Sequence, residues 1–216
     1  MKAFNPNRQN GAVLLVALVM LLVLTLLAAN SMRNVSLEFR ITANRAQALQ
    51  LSNSADAALR EAEFRFYDPS FLRDKLEPSA ANCATANVLK INGANKPCLL
   101  GIQEAKLLEF VLTPTVLEDS TKSTYLTSAS TGGLIWMPYR GLDAAVPTSA
   151  EYPSTWNTYL ITGGPDEANP ANVEYSAAGE AKGTFTYLVN GQSSNNLGNR
   201  QALQSTISNI YVGLNN

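Results

Sequence analysis

The chain has no histidine and only two cysteines, and charged residues make up 15% of its 216 residues. Without histidine it lacks the usual general base, the commonest metal ligand and the usual pH switch. A Ser-His-Asp or Cys-His mechanism is excluded within this chain. The formal net charge of −1 gives no basic footprint for nucleic acid. No phosphate-binding glycine motif and no pair of carboxylates at an interpretable spacing is present. The classes left open are a binding module, a structural subunit and an unusual enzyme.

A second scarcity is local. Neither Gly nor Pro occurs between Ala12 and Asp68, and no charge occurs from Gly11 to Met32. Within this stretch Ala12 to Ala29 reads AVLLVALVMLLVLTLLAA. The uncharged run of about 21 residues is long enough to cross a hydrocarbon core of roughly 30 Å as a helix. A core helix buried on all sides is the competing reading. The preceding segment carries Lys2 and Arg8 and no acid, which favours a cytoplasmic N-terminus and an exported remainder. Ala28-Ala29-Asn30-Ser31 is a passable signal-peptidase site, so removal of the run is a second alternative.

Helical character continues beyond the run. Leu51, Ala55, Ala58, Leu59, Ala62 and Phe66 recur at three- and four-residue spacing as one apolar stripe. Asp56 with Arg60 and Glu61 with Arg65 are acid-before-base pairs four apart, expected on the solvent side. Asp68-Pro69 is the expected stop. One helix over 12–67 would be about 84 Å long. No domain of this size buries that length, so lipid or other proteins are expected to cover the first half.

A short basic leader ending in Gly11 and running straight into an apolar helix resembles the type III signal of type IV pilins and pseudopilins. The stretch GAVLLVALVMLLVLTLLAANSMR, followed by LEFRITANRAQALQLSNSADAALREAE, is similar to the N-terminal region of the PilX-type minor pilins. The likeness covers roughly the first 65 residues. It implies cleavage by a prepilin peptidase after Gly11 and methylation of Ala12. Loss of Lys2 and Arg8 would take the formal charge from −1 to −3. It further implies three segments: a leader over 1–11, a long helix over 12–67 whose part 12–32 serves membrane and assembly, and an exported α+β head over 68–216. The implied fold is pilin-like, the long helix packing on an antiparallel sheet. The implied role is non-enzymatic and needs no cofactor. It is initiation of pilus assembly in a tip complex with other minor pilins, the major pilin and a large tip adhesin. Twitching motility, adhesion and DNA uptake would be outputs of the whole pilus. The implied location is the inner membrane, then the pilus.

One position departs from the family pattern. Most pilins carry a glutamate at the fifth mature position, where this chain has Val16. In the family that carboxylate is thought to compensate the N-terminal ammonium of a neighbouring subunit, and an unpaired buried ammonium costs several kcal/mol. The large minor pseudopilin that caps secretion pseudopili also lacks it. Val16 therefore implies a place at or near the tip. A minor pseudopilin of a secretion system and a membrane-anchored periplasmic binding domain are the alternatives.

Beyond Pro69 the composition turns to Gly, Pro, Asn, Ser and Thr. Strands are expected at 107–112, 134–138, 158–162, 183–190 and 202–212, with a turn beginning at Asn190-Gly191 that pairs the last two as a hairpin. Cys83 and Cys98 are expected to form a disulfide if the head is exported, two reduced thiols being the alternative. Closing this loop would stabilise by about 3 kcal/mol in the chain-entropy model. Asp166 and Glu167 in the loop 163–167 are a weak calcium candidate, and a solvated loop is the commoner use. Trp136, Tyr139, Tyr152, Trp156 and Tyr159 would serve either as core or as a partner surface.

Overall fold

The computed structural model describes residues 10–68, 76–91, 95–117, 124–162 and 183–211. The leader residues 1–9, Pro69, the loop 163–167 and Val212 lie outside them. The architecture is α+β: a long N-terminal apolar helix and a C-terminal mixed sheet of five strands. Helix α1 spans Asn10–Phe64. The chain divides into two compact units, Met1–Gln47 and Ala48–Asn216.

In the first unit the large apolar side chains from Val13 to Leu27 are all exposed, from 46% at Val23 to 72% at Leu14. Within this unit no part of the run is buried. The helix is long and apolar enough to cross a membrane. Thr25 donates its hydroxyl to the Leu22 carbonyl (2.8 Å), so the one polar side chain in the run satisfies itself.

The second unit holds the end of α1, from Ala48, and the head. The predicted stripe is buried, with Ala55, Ala58 and Ala62 fully so. The helix ends at Phe64, slightly before the expected 67, and tightens into i→i+3 bonds from Arg65, Phe66 and Tyr67. Asp68 Oδ2 then accepts from the Asn95 N–H (3.1 Å), turning the chain toward a distant loop before Pro69 is reached.

The sheet order is β1-β3-β4-β5, with β1 at Leu99–Leu100, β3 at Ser154–Thr162, β4 at Gly183–Ser194 and β5 at Arg200–Tyr211. Strand β2, Met137–Pro138, pairs antiparallel with β3 at Trp156 and Thr155. Strand β1 pairs with β3 in parallel, which corrects the expectation of a wholly antiparallel sheet. The β4–β5 pairing is present but longer than expected, with register running from Gly183↔Tyr211 to Ser194↔Arg200. Asn190 and Gly191 sit inside β4 rather than at a turn. The turn falls at residues 195–199, where Asn195 Oδ1 accepts from the N–H groups of Leu197 and Asn199, and Gly198 takes φ +82°.

Residues 107–112 belong to helix α2, Glu104–Leu112, and not to a strand. Leu107, Phe110 and Val111 supply its buried or half-buried side at i, i+3, i+4, a helical spacing that a six-residue, mostly apolar segment conceals. The segment 134–138 is extended as a strand only at Met137–Pro138.

Alternation along the strands gives the sheet two covered faces. Trp156, Val189, Gly191 and Ser193 lie toward α1. Their opposite faces carry Asn157, Tyr159 and Leu188, with the ring of Phe110 of α2 tilted against that of Tyr159, centroids 4.5 Å apart. The aromatic candidates thus divide: Trp156 and Tyr159 are fully buried core residues, whereas Trp136, Tyr139 and Tyr152 are half-buried.

Tyr159 has a measurable consequence. Its hydroxyl is buried with no hydrogen-bond partner among the described residues, and burial pushes its pKa up from the ordinary 10.0. The unfolded phenol ionises near pH 10 while the folded one resists, so stability is fully present below about pH 10 and falls as pH rises beyond it. Tyr159→Phe is expected to change stability by less than about 1 kcal/mol at pH 7 and to flatten this alkaline decline. Urea midpoints at pH 7 and at about pH 10.5 check both effects.

Candidate functional site

Two parts of the molecule carry the functional question: the apolar half of α1, and the way the root of α1 is held in the head. Gly11 and Ala12 lie in the first turns of α1, and Ala12 is exposed. Val16 stands one turn further on, 56% exposed. The whole stretch is continuous helix with no break at Ala29. A uniformly apolar, uncharged helix surface favours lipid or the apolar flank of another helix.

The disulfide is present: Cys83 and Cys98 are joined with a Cα–Cα distance of 4.6 Å. Cys98 leads directly into β1. The Thr158 hydroxyl donates to the Cys98 carbonyl (2.8 Å), and the Leu134 N–H donates to the Cys83 carbonyl (2.6 Å). The bridge therefore staples the segment following α1 to the sheet.

Glu61 and Arg65 do not face solvent. Both side chains are buried, Glu61 at 0% and Arg65 at 1%. Arg65 Nη2 donates to Glu61 Oε1 (3.2 Å) and to the Asn87 carbonyl (3.2 Å). Arg65 Nη1 donates to Asn87 Oδ1 (3.0 Å) and to the Lys96 carbonyl (3.5 Å). Asn87 in turn donates its amide to the Asn82 and Lys96 carbonyls, bracing the same loop. Glu61 Oε2 accepts from the Arg140 N–H (2.6 Å), and the Arg65 guanidinium lies 5.0 Å from the Trp156 ring centroid. Burial pushes the Arg65 pKa down, Glu61 raises it through charge and hydrogen bond, and Arg140 adds to the lowering. By contrast Asp56 and Arg60 form the expected exposed pair, at 2.8 Å.

The sequence carried a signal for this buried pair that the acid–base spacing obscured. Residues 54, 58, 61 and 65 follow the same three- and four-residue rhythm as the apolar stripe, and all four are buried. Position on the stripe decides burial; the i,i+4 pairing only makes that burial tolerable.

Gly191 completes the contact. A Cβ there would lie 2.4 Å from the Ala55 carbonyl oxygen and 2.7 Å from the Leu59 nitrogen, so the α1 backbone rests directly on β4. Beside it Ser193 donates its hydroxyl to the Leu51 carbonyl (2.6 Å).

The structure thus brings Cys83 and Cys98 together beside the root of α1, and leaves Gly11, Ala12 and Val16 on its apolar half. Among the described residues no group of three or more Cys, Asp or Glu side chains could hold a metal. No family model, curated protein or solved structure matches the chain.

Proposed function

We propose that this chain is a PilX-like minor pilin, a non-enzymatic subunit that helps to initiate type IV pilus assembly. The observation that carries the reading is one unbroken helix. It begins beside Gly11, exposes an uncharged apolar surface through Leu27, and then becomes the central packing element of a disulfide-bonded head. A removable signal peptide has no need of such continuity, whereas a subunit that moves its helix from lipid into a filament core does. In this reading prepilin peptidase cuts after Gly11. The N-terminus is cytoplasmic and the head periplasmic until assembly carries the subunit to the pilus. The partners are other minor pilins, the major pilin and a large tip adhesin.

N-terminal mass spectrometry of the mature protein tests the class. A methylated Ala12 start is expected; an Asn30 start or a retained Met1 would overturn it.

Val16 favours a place at the tip in this scheme, because it offers no carboxylate to a neighbour's ammonium. Val16→Glu is expected to let the subunit incorporate along the shaft, raising its copy number in sheared pili severalfold. Finding the unmodified chain at several internal shaft positions would remove the tip assignment. Val16 equally favours a second reading, a minor pseudopilin at the tip of a secretion pseudopilus. Deleting the gene separates the two: loss of surface pili supports the first, loss of protein secretion the second.

A further inference from the structure

We infer that the Cys83–Cys98 disulfide is an oxidation-dependent latch on the root of α1, holding closed the loop whose oxygens receive the buried Arg65 guanidinium. Among the described residues, three of the four hydrogen-bond acceptors of Arg65 come from this loop: Asn87 Oδ1, the Asn87 carbonyl and the Lys96 carbonyl. The fourth is Glu61 on α1 itself. The loop's two ends are the bridged cysteines, and each end is also tied to the rest of the head, through the Leu134 N–H and the Thr158 hydroxyl. Breaking the bridge widens the set of conformations the loop can adopt. A departure from the closed one takes loop acceptors from the buried guanidinium and leaves Glu61 to hold it, and a buried charge tolerates that loss poorly. The remedy open to the chain is to hydrate Arg65 by unwinding the last turns of α1. The latch thus couples the redox state of two thiols to the docking of the root of α1.

Closure is a thiol–disulfide exchange. The two thiols of Cys83 and Cys98 give up two protons and two electrons. The disulfide of a thiol–disulfide oxidoreductase accepts them and leaves as a dithiol. The biological side of the inference rests on export of the head, because only an oxidising compartment keeps the latch shut. A chain whose head has not been exported lacks the firm attachment of the root of α1, residues 48–64, to the sheet.

Amide hydrogen exchange on the full chain in detergent micelles, oxidised and after dithiol reduction, tests the coupling. On reduction the amides of 58–67 and 87–89 are expected to exchange at least about tenfold faster, while those of 185–191 change less than about threefold. Equal acceleration in all three segments would mean a global staple with no latch, and no acceleration would mean that the loop holds without the bridge; either overturns the inference. The double variant E61L/R65M supplies the second arm. With the charges gone, reduction should no longer single out the root of α1, and a preserved local effect would overturn the inference as well. These outcomes are independent of N-terminal processing: a retained Met1 would overturn the pilin class and leave the exchange result standing.

Discussion

Arg65→Met is expected to destabilise the head by about 3–5 kcal/mol, because it leaves the Glu61 carboxylate buried without its counter-charge. Glu61 has 0% exposure, and its other oxygen is already engaged by the Arg140 N–H. Deleting the guanidinium also strands the Asn87 side-chain oxygen and the Asn87 carbonyl, while the Lys96 carbonyl keeps the Asn87 amide as a donor. The reciprocal variant Glu61→Leu leaves the cation buried and is expected to cost a similar amount. The double variant E61L/R65M removes both charges while keeping most of the volume. It is expected to recover most of the loss, since apolar replacement of a buried ion pair is often neutral or better. Urea denaturation of the four proteins, followed by tryptophan fluorescence, gives the coupling energy directly, Trp156 being the aromatic residue stacked on the guanidinium. Two single losses that simply add in the double variant would contradict the pairing.

Gly191→Ala is expected to cost about 2–4 kcal/mol, from a different cause. The new methyl would lie 2.4 Å from the Ala55 carbonyl oxygen and 2.8 Å from Leu59 Cβ. The first of these is backbone of a helix and cannot rotate away. Either α1 lifts from β4 or the strand bends, and both open the packing around Ala55 and Leu59. The reduced backbone freedom of the unfolded chain returns only about 0.4–1 kcal/mol. Gly198→Ala is the control: nothing lies within 4 Å of its would-be Cβ, so only the strain of φ +82° remains, about 1–2 kcal/mol. Thermal unfolding of both variants should therefore rank Gly191→Ala below Gly198→Ala. An equal shift in both would mean that helix and sheet approach less closely than described.

Much of the fold was legible in the sequence. The stripe from Leu51 to Phe66 is buried where its spacing places it, because a helix converts a three- and four-residue rhythm into one face. The run Thr184-Phe185-Thr186-Tyr187-Leu188-Val189 lies in β4, and it pairs antiparallel with β5. The two cysteines are bonded. The errors have definite causes. Leu107 to Leu112, apolar except at Glu109, is too short a segment to separate helix from strand by composition, and the packing of Phe110 on Tyr159 goes with the helix. Asn190-Gly191 has the residue chemistry of a tight turn. There, however, Asn190 donates to Asn157 across the sheet (2.9 Å), and Gly191 is required for the approach of α1. A turn-forming dipeptide was serving two tertiary contacts.

The apolar half of α1 and its fitness to cross a membrane follow from sequence alone, since composition and the absence of a breaker are properties of the local chain. So does the existence of the packing stripe. The rhythm of the stripe places Glu61 and Arg65 on the buried side, but their compensation could not follow from it. Their i,i+4 spacing is the same whether the pair faces water or the core. What makes the burial possible is a set of partners at Asn87, Lys96 and Arg140, which are 22, 31 and 79 residues away from the groups they bind. Periodicity is written along the chain. The compensation of a buried charge is written across it, and only the tertiary structure assembles the oxygens and N–H groups that make such burial possible.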